Sequence, residues 1–222
     1  MKKVKFIVFI CLFILLPLAY FNGFIRISDL TSEQESIAKK YGGVYVFDEK
    51  LEKEIDKREG ERDKVNKEIL KEVSNIQDKE EQNKQLRLLL QEKFYDNPKL
   101  ERVLSNGKRY YLRWIDYKNE TGKEVKIPND YVEKIINYIG KENLEKYTPN
   151  LSMSYFYIDG DKVVPIRTSA SYLYRIKTFT LYGDEASGIK FIKDDIGLAK
   201  GGNRFEFINN KFEKVSTSDK DK

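Results

Sequence analysis

The sequence predicts an α+β protein: a single N-terminal transmembrane helix, a long charged helix, then an antiparallel sheet of meanders and hairpins with one packed helix. Three observations carry this. Residues 6–25 contain no charge, and Lys2, Lys3 and Lys5 stand immediately before them. Residues 48–96 contain no Pro and one Gly among Glu, Lys, Leu, Gln and Arg. After Asn97-Pro98 the apolar spacing changes from a helical period to alternation.

The apolar run is long enough to span a bilayer as a helix, since about 20 residues cover its hydrocarbon core. The lysines of residues 1–5 then stay in the cytoplasm and the chain after Ile25 lies outside it. An uncleaved anchor is favoured over a cleaved signal peptide. Cutting after Ala19 would set Pro17 at the position that wants a small residue, and cutting after Gly23 would set Phe21 there. A lipoprotein is disfavoured because Ile10 precedes Cys11. The expected location is therefore a bacterial plasma membrane, with an extracytoplasmic domain. Residues 26–47 read as a juxtamembrane segment without a predicted element.

From Asp48 to Asp96 the spacing predicts helix. Leu51, Ile55, Val65, Ile69, Val73, Ile76, Leu86, Leu90 and Phe94 recur mostly on one face. Acid precedes base by four residues at Glu49/Lys53, Glu54/Arg58, Asp63/Lys67 and Glu80/Lys84, the favourable order. Two physical roles fit: a stalk, dimeric as a coiled coil, or a helix that packs on the distal domain. The heptad seam carries Arg58, Arg62, Glu72, Lys79 and Asn83, which weakens the coiled-coil reading. A break is expected near Gly60 or Asn75–Asp78.

Residues 97–215 form the expected α+β domain. Asn106-Gly107 is a hairpin turn. Residues 109–117, with Tyr110, Tyr111, Trp114 and Tyr117, read as a strand. Residues 130–147 read as a helix with a stripe of Tyr131, Ile135, Tyr138 and Ile139 and an interruption at Gly140 or Asn143. Strands follow at 152–158, 163–167, 172–182 and 189–192. A closing hairpin spans 204–208 and 211–215, turning at Asn209-Asn210. Residues 216–222 are a polar tail.

Composition excludes several chemistries. The chain has no histidine and one cysteine, inside the apolar run. That removes Ser-His-Asp and Cys-His arrangements and the common zinc sites, so no cofactor or metal is expected. The net charge of +5 is spread along the chain, and a nucleic-acid partner is not expected. Ser-x-x-Lys occurs at Ser36/Lys39, Ser105/Lys108 and Ser187/Lys190 without the companion motifs of a penicillin-binding enzyme. Asp159/Asp161, Asp184/Glu185 and Asp194/Asp195 are the available carboxylate pairs for glycan hydrolysis, and each sits where Asp ordinarily caps a turn. Residues 197–202 loosely suggest a phosphate loop but lack its Gly-Lys-Ser/Thr ending.

The positive signal is aromatic: fifteen Tyr, thirteen Phe and one Trp. Trp114, Tyr110, Arg113, Tyr172 and Tyr174 are the candidate protein-binding residues, since exposed Tyr and Trp beside Arg make interface hot spots. The expected function is a membrane-anchored, non-catalytic protein-binding module outside the cytoplasm, of the immunity or envelope-machinery type. A coiled-coil spacer between membrane and wall, and a carboxylate-based peptidoglycan enzyme, are the alternatives.

Overall fold

The structure is a computed structural model that describes residues 2–183, 186 and 188–217. It is of the mixed α+β class, with a large sheet and several helices. The chain divides into two compact units. The smaller holds residues 2–42, Glu142–Asn150 and Ala170–Gly202. The larger holds Gly43–Lys141, Leu151–Ser169 and the chain from Asn203 onward.

The small unit begins with α1 (Lys2–Ile10), a π-helical turn at Cys11–Leu15 and α2 (Leu16–Phe21), followed directly by β1 (Asn22–Ser28). This corrects the expected single helix over 6–25. Among the described residues no helix is long and apolar enough to cross a membrane. The helical backbone is divided because Pro17 has no N–H to give the carbonyl four residues back; the turn before it widens, and Leu16 N–H reaches Cys11 O instead. Residues 22–25 are strand, not helix. Val4, Phe6 to Phe9, Leu12 to Leu16 and Leu18 nevertheless present exposed apolar side chains.

Residues 26–47 also hold elements the sequence reading lacked. α3 (Ser32–Tyr41) is capped by Thr31, whose Oγ1 accepts from Gln34 N at 3.0 Å. Glu33 and Glu35 occupy its first turn and Lys39 and Lys40 its last, complementing the helix dipole. The unit's sheet is β1, the 170–182 part of β5 (Lys162–Tyr182), and β6 (Lys190–Ala199), all antiparallel. Ile37, Ala38 and Tyr172 form its core with Tyr41, Tyr147 and Ala199 beside them. Residues 197–199, expected in a loop, lie in β6. Gly197 faces the Tyr174 ring, which occupies the space where a Cβ would stand.

The sheet of the large unit runs β3 (Tyr110–Arg113), β4 (Asn150–Asp159), the 162–169 part of β5, β2 (Gly43–Val46), β7 (Asn203–Ile208), β8 (Lys211–Thr217). β2 pairs with β7 in parallel, Gly43 opposite Asn203. Gly43 has φ +146°, and a Cβ there would run into the Asn203 backbone. The closing hairpin turns at Asn209-Asn210 with both residues at positive φ, the geometry that suits a two-residue turn. Stacked and edge-on rings of Tyr45, Phe205, Phe212 and Tyr138 fill the space between this sheet and α7 (Asn129–Ile139). α7 stops at Gly140, φ +86°, before α8 (Lys141–Lys146). The expected strand over 109–117 is only β3. From Trp114 the chain is helical, α6 (Trp114–Thr121), and ends at the left-handed Gly122.

The charged segment is two helices, α4 (Glu49–Val73) and α5 (Lys79–Leu90), continued by a π turn to Tyr95. Asp48 caps the first, accepting from Leu51 N at 2.9 Å, and Asp78 caps the second. Gln82 ties back to Val73 O at 3.0 Å, and Lys93 pairs with Glu72 at 2.7 Å. Ile55 is buried with Leu104, Tyr110 and Ile166. The segment therefore folds back on itself and packs α4 on the sheet of its own unit. It is not one extended stalk.

Candidate functional site

Two adjoining clefts of the large unit share Lys134 and Phe207. One, of about 160 Å³, lies among Phe47, Tyr131, Tyr157, Leu51 and Ile166, with Asp48 and Lys134 at its polar edge. The other, of about 400 Å³, is bounded by Tyr138, Phe212, Asn137, Asn210 and Lys211. The helical spacing of Tyr131, Lys134 and Tyr138 puts all three on the α7 face toward the clefts. Phe207 and Phe212 come from the β7–β8 hairpin, where they are directly paired. The result is a groove with aromatic walls between one helix and one hairpin.

Lys134 bridges the two clefts. Its Nζ lies 4.6 Å from the Tyr131 ring centre and 5.0 Å from that of Phe207, so the ammonium is held over two π faces. Lys211, at the far end, pairs with Glu213 at 3.1 Å on the surface. Asp48 is committed to capping α4. Burial, with Asp130 nearby, pushes the Tyr131 phenol up, so it keeps its proton. The groove offers apolar area, two ammonium groups and phenol donors. These can bind a chain carrying apolar and acidic side chains.

Beneath this groove α4 is fixed by carboxylates. Glu52 is buried and accepts from Arg204 at 2.6 Å, with Arg167 at 3.5 Å; Arg204 also donates to Glu206 at 2.8 Å. The hydrogen bond to Glu52, seconded by that to Glu206, holds the Arg204 guanidinium still more firmly protonated. The Arg167 guanidinium lies 3.6 Å from the centre of the Tyr155 ring, whose hydroxyl donates to Asp56 at 2.8 Å. About two turns along the helix from Glu52, Glu59 accepts from two Arg102 nitrogens at 2.9 Å and from Tyr110 Oη at 2.7 Å. Burial opposes ionisation of Glu59, but the Arg102 and Tyr110 hydrogen bonds overcome it, and its carboxyl titrates below the usual range. Glu54 accepts from Ser105 N and Oγ at 2.8 and 2.7 Å, which fastens the Asn106-Gly107 turn to α4.

The sequence-predicted binding residues are dispersed. Tyr110 is fully buried and committed to Glu59. Arg113 is exposed and paired with Asp116 at 2.7 Å. Trp114 starts α6 and is 46% exposed. Tyr172 and Tyr174 belong to the small unit. There Tyr172 is buried with no hydrogen-bond partner for its hydroxyl, and Tyr174 covers Gly197. Of the five, Arg113 and Trp114 are exposed and Tyr174 is half-buried.

The other candidates are separated too. Asp159 pairs with Lys108 at 2.7 Å in a turn. Asp194 and Asp195 are neighbours in β6, so their side chains leave opposite faces and cannot flank one bond. Asp184, Glu185 and Ser187 lie outside the described residues. Ser105 is engaged by Glu54 and Lys108 by Asp159, not by each other. Among the described residues no three His, Cys, Asp or Glu side chains gather as metal ligands. The sequence pattern places Tyr131 and Tyr138 in an apolar helix stripe and gives no role to Phe47 or Lys134. The Tyr131/Lys134/Tyr138 spacing was the available signal. Comparison with known protein families, with curated proteins and with solved structures finds no match for this chain.

Proposed function

We propose that this protein is a membrane-held, non-catalytic binding module, working outside the cytoplasm, whose groove between α7 and the β7–β8 hairpin receives a segment of a partner protein. The observation that carries the reading is the groove itself: aromatic walls from two elements, with Lys134 held over Tyr131 and Phe207 and Lys211 beyond it. Aromatic pockets with a few fixed cations are where interface energy concentrates. A partner segment with one large apolar side chain flanked by carboxylates matches them. Membrane attachment is supported by the exposed apolar side chains of residues 4–18 behind Lys2, Lys3 and Lys5.

The test is comparative purification from native membranes in mild detergent. The wild-type chain is expected to bring down one stoichiometric protein, and Lys134→Glu with Lys211→Glu is expected to lose it while keeping the same thermal transition. A partner retained by the double variant would reject the groove as the site. A chain that elutes alone and monomeric would reject the binding reading.

A further inference from the structure

β6 is an outer strand of the small unit's sheet. Among the described residues it pairs with β5 alone, and no strand lies along its other edge. That edge faces solvent: Lys190 to Asp194, Ile196 and Leu198 are exposed, Ile196 by 72%. A strand of ten residues without proline offers a row of backbone N–H and C=O groups to another strand. Charges ordinarily blunt such an edge. Here Lys190 and Lys193 balance Asp194 and Asp195, so the strand carries no net charge.

We propose that two copies of this chain pair antiparallel through β6, about a two-fold axis at Asp194. The strand is self-complementary about that residue. Residues directly opposite in an antiparallel pair point to the same face. An axis at Asp194 therefore sets Lys193 against Asp195 of the second copy, and Asp195 against its Lys193. On the other face it sets Ile192 against Ile196, again twice. Opposite charges and paired aliphatic side chains both stabilise a sheet at such positions. Lys193 also meets its own Asp195 at 3.0 Å, so the pairing closes a ring of four alternating charges. The one like-charge contact is Asp194 with its copy, and Lys177 stands directly opposite each Asp194 on β5. An axis at residue 192, 193, 195 or 196 instead sets Asp194 or Asp195 against an isoleucine or leucine. The overlap from Lys190 to Leu198 makes a seam of roughly 30 Å. It joins two three-stranded sheets into one, and the interface is isologous, the kind that closes at two copies.

Disulfide formation reads the register. Cys11 is the chain's one cysteine, so the background is Cys11→Ser. Full-length chains carrying Lys193→Cys, Asp194→Cys or Asp195→Cys are purified in mild detergent and oxidised, alone or as differently tagged mixtures. About the proposed axis, residue 194 faces its copy with Cα atoms about 4.5–5.5 Å apart, within disulfide reach. Residue 193 lies about 8 Å from the second residue 193, beyond that reach, and so does residue 195 from its copy. Asp194→Cys is expected to cross-link alone. Lys193→Cys and Asp195→Cys are expected to cross-link with each other and several-fold less by themselves. Equal linking of every sample would show random collision, and linking of none would show no pairing. Either result overturns the proposal, as does linking confined to Lys193→Cys or Asp195→Cys alone. Sedimentation of chains without new cysteines gives a second reading. The wild-type chain is expected to run as two copies, Lys193→Asp as one, and Lys193→Asp with Asp195→Lys as two again, because the exchange restores the opposite-charge pairs. A wild-type particle of one chain, or one indifferent to these changes, would overturn the β6 seam.

Discussion

The two units spend the same kinds of residue in opposite ways. In the large unit aromatic rings are stacked inside, and several polar groups that enter with them are met: Tyr110 reaches Glu59, Arg204 reaches Glu52 and Glu206, Tyr155 reaches Asp56, although Thr168 Oγ1 is buried there without a hydrogen-bond partner. In the small unit Tyr172 is just as buried, but its hydroxyl has no partner, and Leu198, Ile196, Ile192 and Ile27 face outward. The first pattern is that of a unit stabilised by its own contacts. The second leaves apolar side chains uncovered on the unit's own sheet. Composition cannot distinguish them, because a buried Tyr and an exposed Ile contribute to it without regard to place.

The largest test of this contrast is Phe205→Ala. Phe205 is fully buried between Tyr45 and Tyr138, with ring centres 4.6 and 5.1 Å away. Truncation removes the transfer free energy of the ring and leaves a cavity that stacked neighbours cannot close. The expected loss is about 3–5 kcal/mol in denaturant unfolding. A loss under ~1 kcal/mol would show that the aromatic cluster repacks freely and is not the core of that unit.

Next in size is Tyr110→Phe. The hydrogen bond from its hydroxyl goes to a carboxylate, and its removal withdraws one of the contacts that hold Glu59 ionised. The expected cost is about 1.5–3 kcal/mol at neutral pH. Burial, then the bond to Glu59, pushes the phenol well above the ordinary tyrosine range, so it remains a donor throughout.

The same carboxylate predicts the response to acid. Glu59 titrates lower in the folded chain than its ordinary value of 4.5. Its ionised form is therefore favoured by folding. That contribution is fully present above the unfolded value and is lost as pH falls through the lower, folded one. Unfolding measured from pH 5 downward is expected to show a shallower loss of stability in Glu59→Gln than in the wild-type chain. Equal slopes would mean that Glu59 is no better held in the folded state than in solvent.

How much of this was legible in the sequence follows from range of interaction. Local signals were sufficient where the element is fixed by its own residues. The Asn209-Asn210 turn, the closing hairpin, the stop at Gly140 and the break between Val73 and Asp78 all depend on caps, turns and positive-φ residues within a few positions. The signal failed where a distant strand decides. Residues 22–25 carry no charge and read as the end of a helix but are drawn into a strand by β5, more than a hundred residues away. Trp114 to Tyr117 have strand propensities, yet Tyr117 is needed edge-on against Tyr111, at 5.0 Å, and a helix supplies that contact. At the site, α7's stripe was readable as amphipathic. That its Lys134 would lie over Phe207 was not, because the hairpin that brings Phe207 is some seventy residues on.

The smallest prediction is also the one whose sign separates the two units. Tyr172→Phe removes a hydroxyl that is buried and unpartnered, and whose pKa burial pushes up to about 12. The folded state is already charged with the desolvation of that group and gains no hydrogen bond from it. Deleting it should leave stability unchanged or raise it by up to ~1 kcal/mol, the reverse of Tyr110→Phe. The ring itself stays, so its packing on Ile37 and Ala38 is preserved. Measured side by side, two Tyr→Phe changes of opposite sign would show that the buried tyrosines serve different ends. A loss of more than ~1 kcal/mol at Tyr172 would instead mean that its hydroxyl is engaged in the working protein, as that of Tyr110 is.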